Sequence, residues 1–441
     1  MPAAAHRGVA VSLTPVALES DSRAIRIANA LTEMGFRSIV IEGQASRRHC
    51  WGGAIEIRSA ARAHPGAATA ASPGSGRWWQ GVASSLRDGR LGTAGELGLY
   101  LGFRGYDWWR HRHRPGRLLP SATLYYLHSF EFYRAVLPLA TAARSRIIYD
   151  AHDFYRGIEP PTAQRSFDRN RLRPFLDKLE DRLAADADAI VTVSDGVATL
   201  MQDVFGRRPV VLRNCHDDRL DRLDAPDLRT MLGLRALDRL CVVIGNWKPG
   251  MAVATAVAAL ARLPPEFHLA FVGRGYERVA HELELAAVRG RVHHGIVLAP
   301  DAIVPAIRSA DAGLVIYEPY SQNYRNALPN GFFQMIAAGI PLVRFPLPEI
   351  EAAVAGRAIG VCLDRADAAS LAQAVIASAC DAGRSRADSD ELAGELRWAN
   401  EAVRLRRLVD DLFAVRTGIG AGASICRRAV AVAQADRSCA E

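Results

Sequence analysis

Short apolar runs alternate with amphipathic stretches along most of the chain, which predicts strands that alternate with helices. The first run is GVAVSL at residues 8–13, and a second apolar run follows at residues 38–41. Between these runs, Ile25, Ala28 and Leu31 recur at helical spacing. A strand, a helix and a second strand in this order are typical of a parallel sheet that is covered by helices.

The same alternation starts again in the second half of the chain, with the apolar run LCVVIG at residues 240–245. The chain has 441 residues, of which 49% are apolar, and this is enough to form two hydrophobic cores. We therefore predict an α/β protein with two domains. The predicted segments are an N-terminal domain (1–216), a charged linker (217–238), a C-terminal domain (239–389), a C-terminal helix (390–415) and a disordered tail (416–441).

Composition and charge narrow the function only slightly. The formal net charge is +8, and arginine supplies nearly all of the cations, because Lys178 and Lys248 are the only lysines. This excess is compatible with anionic substrates or with a membrane surface, and it selects neither. Seven cysteines without a close pair argue for a reducing compartment and against a zinc site or a disulfide framework. No apolar run approaches the ~20 residues of a membrane-spanning helix, so we expect a cytoplasmic protein.

Residues 96–117 combine two tryptophans and other apolar side chains with five arginines and two histidines. A helix lying on an anionic membrane has this composition, which would make the protein peripheral on the inner face of the plasma membrane. A helix edge followed by a solvated basic loop has it too. Nucleic acid is not an expected partner, because no known binding module lies nearby. The preceding residues, 59–93, are rich in small residues and predict an insertion loop.

The stretch SQNYRNALPNGFFQMIAAGIP at residues 321–341 is the most informative part of the sequence. Pro329 suits the first turn of a helix, the residues after it are apolar, and Gly339 followed by a proline supplies a stop. These features predict a short buried helix at the end of a loop. Free N–H groups near Asn330 and Gly331, together with the helix dipole, favour a phosphate there. A buried helix that binds no ligand fits the same residues.

Several residues of this stretch resemble the donor site of family 4 glycosyltransferases, which have the GT-B fold. They are Asn323, Leu328-Pro329-Asn330, the phenylalanine pair, Ala337-Ala338-Gly339 and Pro341. The resemblance extends in order over nearly the whole chain, and it implies two Rossmann-like domains that face a cleft. It also implies that the first domain binds an acceptor, that the second binds a nucleotide sugar, and that the last helix crosses back to the first domain.

The resemblance implies a set of donor-binding residues in this stretch, namely Asn323, Pro329, Asn330, Gly331 and Gln334. The sequence departs from the family pattern at two of them. The family usually has lysine where Gly331 stands and glutamate where Gln334 stands, and that glutamate accepts hydrogen bonds from the donor ribose. Glutamine keeps an acceptor oxygen without the charge, which predicts weaker ribose binding. Asn326 stands where the family has a partner acid.

Two predicted strands of the first half each end near a histidine, His128 in YYLHS and His152 in YDAHD. Catalytic groups gather at the carboxyl ends of parallel strands, so both are candidates. In the family that the chain resembles, a histidine after the second of these strands contacts the donor sugar, which implies His152 as the catalytic residue. A buried core histidine is the alternative. Arg23, in the first turn of the first helix, either reaches across the cleft toward a phosphate or is solvated.

In the second half, GNWKPG at residues 245–250 places glycines and Lys248 where a strand leads into a helix, which predicts a second anion site. The family typically has arginine directly after Gly245, where this chain has Asn246. Lys248 then either holds the pyrophosphate as a point charge or is a surface lysine. Residues around Gly295 resemble the family's loop that bounds the nucleotide base.

The resemblance implies a glycosyltransferase that moves a sugar from a UDP- or GDP-linked donor to a cell-surface glycan, a glycolipid or another acceptor, as in polysaccharide biosynthesis. Retention at the anomeric carbon is the habit of the family. No metal or cofactor is expected, because cations and the helix start stabilise the leaving diphosphate. Gly331 and Gln334 favour an alternative, a non-catalytic nucleotide-sugar binder with a decayed donor site. An NAD-type oxidoreductase has less support, since Arg278 replaces the third glycine of a dinucleotide fingerprint.

Overall fold

The computed structural model describes residues 7–47, 54–60, 118–158, 173–222, 224–284, 288–380 and 384–414. The stretch 96–117, with its predicted membrane contact, and the predicted tail 416–441 lie outside the described residues, as does nearly all of the predicted insertion loop at 59–93. Within the described ranges, no helix is both long enough and apolar enough to cross a membrane.

Among the described residues, seven strands form the first sheet. They are β1 (Val9–Thr14), β2 (Arg37–Glu42), β3 (Ile55–Ser59), β4 (Leu124–Leu127), β5 (Arg146–Ala151), β6 (Ala189–Thr192) and β7 (Val210–Val211). All pairings are parallel, in the order β3-β2-β1-β4-β5-β6-β7. Strands β4 and β6 are buried along their whole length because helices cover both faces of the sheet, as parallel sheets require.

The helices of this first unit are α1 (Ser22–Glu33), α2 (Tyr133–Ala143), α3 (Arg173–Asp186) and α4 (Asp195–Phe205). Helix α1 begins at Asp21, whose side chain accepts a hydrogen bond from the Ala24 N–H group. This contact satisfies one of the free donors of the first turn. The residues of α1 from Arg23 to Leu31 are all buried.

In the part of the second half that the structure describes, six strands form the second sheet. They are β8 (Arg239–Ile244), β9 (Phe267–Val272), β10 (Val292–Ile296), β11 (Ala312–Val315), β12 (Leu342–Arg344) and β13 (Gly360–Cys362). This sheet is also parallel, in the order β10-β9-β8-β11-β12-β13. The predicted α/β architecture with two parallel sheets is therefore confirmed. Strands β3 and β13, both at sheet edges, were not predicted.

The remaining helices follow in chain order. They are α5 (Leu228–Met231), α6 (Val253–Leu260), α7 (Ala280–Leu283), α8 (Ile303–Ile307), α9 (Gln322–Arg325), α10 (Asn330–Ala338), α11 (Pro348–Val354), α12 (Ala368–Cys380), α13 (Arg384–Glu395) and α14 (Trp398–Ala414). Helix α10 is the short buried helix that the sequence predicts, with Pro329 as its N-cap. It ends where Gly339 adopts a left-handed conformation with φ of 70°.

The last two helices belong to different parts of the molecule. Helix α13 packs against α10 in the second unit. Helix α14 packs against the first sheet, and its Trp398 and Leu405 join the hydrophobic cluster that contains Leu124 of β4. The predicted segment 390–415 therefore combines the end of one helix with the whole of the next, and the helix that lies on the first unit begins at Trp398.

Candidate active site

The carboxyl ends of the two sheets meet at a cleft. Asn323, which follows β11 and lies in α9, donates from Nδ2 to Asp153 Oδ1 over 2.9 Å. Its Oδ1 atom accepts from the Phe154 N–H group over 2.8 Å. Both polar ends of this buried side chain therefore bind the loop that follows β5. The sequence predicts that Asn323 binds a donor, and in this conformation its side chain joins the two units instead.

A second pair of contacts closes the cleft beside β6. Ser194 Oγ donates to the Asn326 carbonyl over 2.7 Å. The Gly196 N–H group, in the first turn of α4, donates to Glu349 Oε1 over 2.7 Å. Asn326, which stands where a partner acid is usual, thus contributes its backbone to the contact between the units.

The two predicted histidines lie against each other on the first unit. His128 Nδ1 is 3.1 Å from His152 Nε2. His128 is buried, whereas the His152 side chain is 26% exposed at the cleft. Asp150 Oδ2 lies 3.7 Å from each of these two ring nitrogens. Of the two candidates, His152 is the one that a ligand in the cleft can reach.

Arg23 does not reach across the cleft, and it is not solvated. Its side chain is 1% exposed, and the guanidinium donates two hydrogen bonds to Asp150, of 2.8 Å from Nε and 2.9 Å from Nη2. Its Nη1 atom donates to the Leu212 carbonyl over 2.8 Å. Tyr126 adds a third donor to Asp150, with its hydroxyl 2.9 Å from Oδ2. Both readings of Arg23 from the sequence are wrong, because its donors are used within the protein.

Burial and nearby charges shift the pKa values of the two histidines in opposite directions. Burial is the largest influence on His128 and lowers its pKa to about 4. Burial is also the largest influence on His152 and disfavours its charged form, but the Asp150 and Asp21 carboxylates together outweigh burial and raise the pKa of His152 above its ordinary value. Asp150 is buried as well, yet the Arg23 cation holds the pKa of this carboxyl well below its usual range.

The same three residues meet a geometric requirement for a metal site, since one ligand atom from each of His128, Asp150 and His152 lies within 4.8 Å of the others. However, the Asp150 oxygens already accept hydrogen bonds from Arg23 and Tyr126. The adjacent guanidinium charge also repels a cation. The surroundings favour a hydrogen-bonded cluster over a metal centre.

On the second unit, Lys248 follows β8 and is exposed at the cleft. The Asp153 carboxylate, next to His152 in the chain, is the main cause that raises the pKa of Lys248. Asn246 stands where the family pattern has arginine, and its Oδ1 atom accepts from the Arg274 N–H group over 2.9 Å. Asn246 therefore fixes a neighbouring loop, and Lys248 is the cation of this turn.

Beside this turn lies a cavity of about 730 Å³ between the two units, lined mainly by the loops around Gly275 and Gly295. Gly273 after β9 approaches the end of β8 so closely that a Cβ atom there would lie 2.1 Å from the carbonyl oxygen of Gly245. Gly245, predicted as a donor-site residue, thus lies behind the cavity wall. Gly295, also predicted, lines the cavity itself, together with Glu19 and Arg47 from the first unit.

The start of α10 is less open than the sequence suggests. Asn330 is exposed but pairs with Asn214 of the first unit, while Pro329 is half-buried. Gly331 is buried, and a Cβ atom there would lie 2.4 Å from the carbonyl oxygen of Ile244. This close approach explains why glycine occupies a position where the family pattern has lysine.

Gln334 lies one turn further along α10 and lines a separate cavity of about 120 Å³. Asp301 and Asp217 border this cavity, as does Arg26 of α1. Arg26 is 5% exposed, lies over the Trp398 ring and has no ion pair with any residue that the structure describes. Arg26 was not predicted as a site residue, and its only signal in the sequence is its position one helical turn after Arg23.

No family model matches this chain, and no curated protein sequence matches it. Solved structures do match its fold. A sucrose-phosphate synthase from Thermosynechococcus elongatus has a TM-score of 0.62 at 16% identity, covering 92% of this chain and 100% of that chain. A trehalose-phosphate synthase from Burkholderia vietnamiensis gives 0.61 at 13% identity, with coverages of 92% and 100%. Anabaena HepE in complex with UDP-glucose gives 0.59 at 15% identity, with coverages of 92% and 100%.

At these identities, the likeness concerns the fold. The chain has the GT-B fold of these glycosyltransferases, with two Rossmann-like halves that face a cleft, as the sequence predicts. Membership in family 4 stays a prediction, because the matching structures do not distinguish it.

Proposed function

We propose that this protein is a glycosyltransferase that uses a nucleotide-sugar donor, with UDP as the favoured nucleotide. One observation carries the proposal: on a GT-B fold, Asp153, next to the half-buried His152, accepts a hydrogen bond from Asn323 of the second unit over 2.9 Å, and its carboxylate raises the pKa of Lys248 there. A histidine and a cation thus face each other at the carboxyl ends of the two sheets, where α/β proteins bind their ligands. The UDP preference draws on HepE, which was solved with UDP and with UDP-glucose.

The donor lies along the second unit in this proposal. The base occupies the cavity of about 730 Å³ that Gly295 lines, and the ribose extends toward Gln334 of α10. The diphosphate lies between Lys248 and the exposed start of α10 at Asn330, because a cation and helix N–H groups both favour an anion. The transferred sugar then points toward His152. As the bond to the sugar breaks, Lys248 stabilises the charge that develops on the diphosphate.

The acceptor binds the first unit in this proposal, and its class is a glycan or a lipid-linked glycan, as in polysaccharide biosynthesis. WaaG, another structure of this fold, is involved in lipopolysaccharide biosynthesis. Retention at the anomeric carbon and a contact with an anionic membrane are parts of the same proposal. Neither a metal nor a cofactor takes part in it.

The first test is a thermal-shift panel of UDP, GDP, CDP, ADP and NAD with the full chain, followed by an assay of UDP release from UDP-sugars. A ligand that binds only the native state raises Tm, so UDP is expected to give the largest shift. The His152→Ala variant should keep its UDP-induced shift and lose most of its turnover, because its contact is with the sugar. Stabilisation by NAD alone would favour the oxidoreductase, and no shift with any nucleotide would exclude the proposed donor site.

The second candidate is a non-catalytic nucleotide-sugar binder. The buried Gly331, which leaves no room for a lysine, favours it, and so does the uncharged Gln334. This candidate predicts a UDP-induced shift in Tm without UDP release from any UDP-sugar. The same panel therefore separates the two functions.

A further inference from the structure

Behind His152 lies a buried cluster whose centre is the Asp150 carboxylate. Asp150 is fully buried on β5 and accepts hydrogen bonds from Arg23 and Tyr126. The two histidines approach the same oxygen to 3.7 Å from the cleft side. A carboxylate held by a fork-shaped guanidinium has a fixed position, because the bidentate contact sets both distance and angle.

We propose that Asp150 is a positioning residue that holds His152 as a proton-carrying hydrogen-bond donor, with Nε2 directed to His128 and Nδ1 left for a ligand in the cleft. The proposal rests on the proposed function only for the identity of that ligand. The arrangement of the protons follows from the protein alone.

The distance shows that the two rings share a hydrogen bond, and their charge states decide which ring donates. At 3.1 Å, His128 Nδ1 and His152 Nε2 must form a hydrogen bond in which one nitrogen donates and the other accepts. His128 is the more buried ring, and burial keeps it neutral. A neutral His128 accepts at Nδ1 when its proton lies on Nε2, an atom without a partner among the described residues. The cationic form of His152, which the Asp150 and Asp21 carboxylates favour, carries a proton on Nε2, and His152 is therefore the donor.

The other ring nitrogen of His152, Nδ1, is the one that a ligand in the cleft can contact. No described residue hydrogen bonds to His152 Nδ1, and the side chain keeps 26% of its surface exposed. In the imidazolium form this nitrogen also carries a proton. His152 then offers a charged N–H donor to an oxygen of the ligand, whereas a neutral ring with its proton on Nε2 would offer an acceptor.

Charged groups on several elements act on His152. Asp150 on β5 and Asp21 at the start of α1 favour its cationic form, and Arg23 opposes it. Across the cleft, Lys248 is offset by Asp153. Because the carboxylates prevail, the pKa of His152 is raised. The charged form is then present below the raised pKa and is lost as the pH rises through it, so the N–H donor that His152 Nδ1 offers to a sugar oxygen should be lost on the alkaline side.

An NMR titration of the full chain with labelled histidine rings tests this arrangement without any ligand. We expect His152 to titrate above the ordinary value of about 6.5 and His128 to stay neutral through this range. The signal of the Asp150 carboxyl carbon should move in the same pH range, because the two charges are coupled. Titration of His152 at or below the ordinary value, or an Asp150 signal that does not follow it, would overturn the proposal in the wild-type protein itself.

A double variant, Arg23→Gln with Asp150→Asn, removes the carboxylate without leaving a lone buried charge. The His152 pKa should fall by about one unit or more, because burial then dominates. The matched control is Arg37→Gln with Glu56→Gln, an exposed pair whose loss should leave His152 unchanged. An equal shift in both double variants would contradict the role of Asp150. If His152 titrates as expected but UDP does not bind at pH 6 or pH 9, the proposed donor fails and the positioning role stands.

Discussion

The two faces of the cleft are built on different principles. On the first unit, the half-buried His152 lies against buried charges, with Arg23 and Asp150 each exposed by 1% or less. On the second unit, the site consists of an exposed lysine and of backbone brought close by glycines such as Gly273. A buried charge cannot lose its partner without cost to the fold, whereas an exposed lysine can. Function and stability are therefore coupled on the first face and separable on the second.

The largest expected effect is a loss of stability on the first face, when the buried Asp150 is replaced. Asp150→Ala leaves the Arg23 guanidinium buried without its counter-ion, which should lower the free energy of unfolding by about 3–5 kcal/mol. Urea unfolding of the full chain measures it. Glu56→Ala is the control, because Glu56 pairs with Arg37 at the surface, and its loss should cost less than about 1 kcal/mol. Equal costs for the two variants would mean that the faces do not differ in this way.

A second variant tests the close packing on the other face. Gly331→Lys restores the residue that the family pattern favours, but its Cβ atom would lie 2.4 Å from the Ile244 carbonyl oxygen. We expect a loss of about 1–3 kcal/mol from overpacking and no gain in UDP affinity. Gly394→Ala, at a helical position with no atom within 4 Å of the added Cβ, should leave the stability unchanged or raise it by up to about 1 kcal/mol. Tighter UDP binding by the lysine variant would show that the helix start has more room than its packing indicates.

The architecture was predictable because strand and helix periodicities are local signals. The apolar runs at β1 and β8 and the stop at Gly339 all belong to single short stretches of sequence. Strand β3 was missed because IEIRS is short, alternates in polarity and precedes a stretch rich in small residues. The cleft positions of His152 and Lys248 were predictable for a related reason, since His152 directly follows β5 and Lys248 lies in the turn after β8, and the sequence marks both strands clearly.

The partners of the site residues were not predictable, because they are distant in sequence. Arg23 and Asp150 are 127 positions apart, and Asn323 and Asp153 are 170 positions apart. Nothing in the local sequence shows that an arginine in a first helical turn will be buried. The ion pair of Arg23 forms because the fold brings the end of β5 close to the start of α1. Gly331 was not predictable for the same reason, because only the nearby end of β8 leaves no room for a side chain at this position.

On the second face, the loss of Lys248 should change ligand binding without changing stability. Lys248→Ala should change the free energy of unfolding by less than about 0.5 kcal/mol, because the side chain is exposed. UDP affinity should fall roughly tenfold, which corresponds to about 1.4 kcal/mol for a lost charge on a diphosphate. Lys178→Ala removes the other lysine, exposed on α3, and should change neither quantity. Isothermal titration calorimetry measures the UDP affinity of each variant. An unchanged affinity in the Lys248 variant would show that Lys248 does not belong to the donor site.

The smallest expected effect concerns Gln334, which lies between the two faces. Its cavity is bordered by Asp301, which disfavours a new carboxylate, and by Arg26, which favours one. Arg26 has no ion pair among the described residues, so its charge is available to offset a glutamate. A charged acceptor also binds hydroxyl groups more strongly than an amide, by about 1 kcal/mol. Gln334→Glu should therefore bind UDP several-fold more tightly, whereas Gln322→Glu, at an exposed position of α9, should not. Weaker binding in the first variant would show that Asp301 dominates the cavity, and binding that appears only in this variant would identify the natural protein as a decayed donor site.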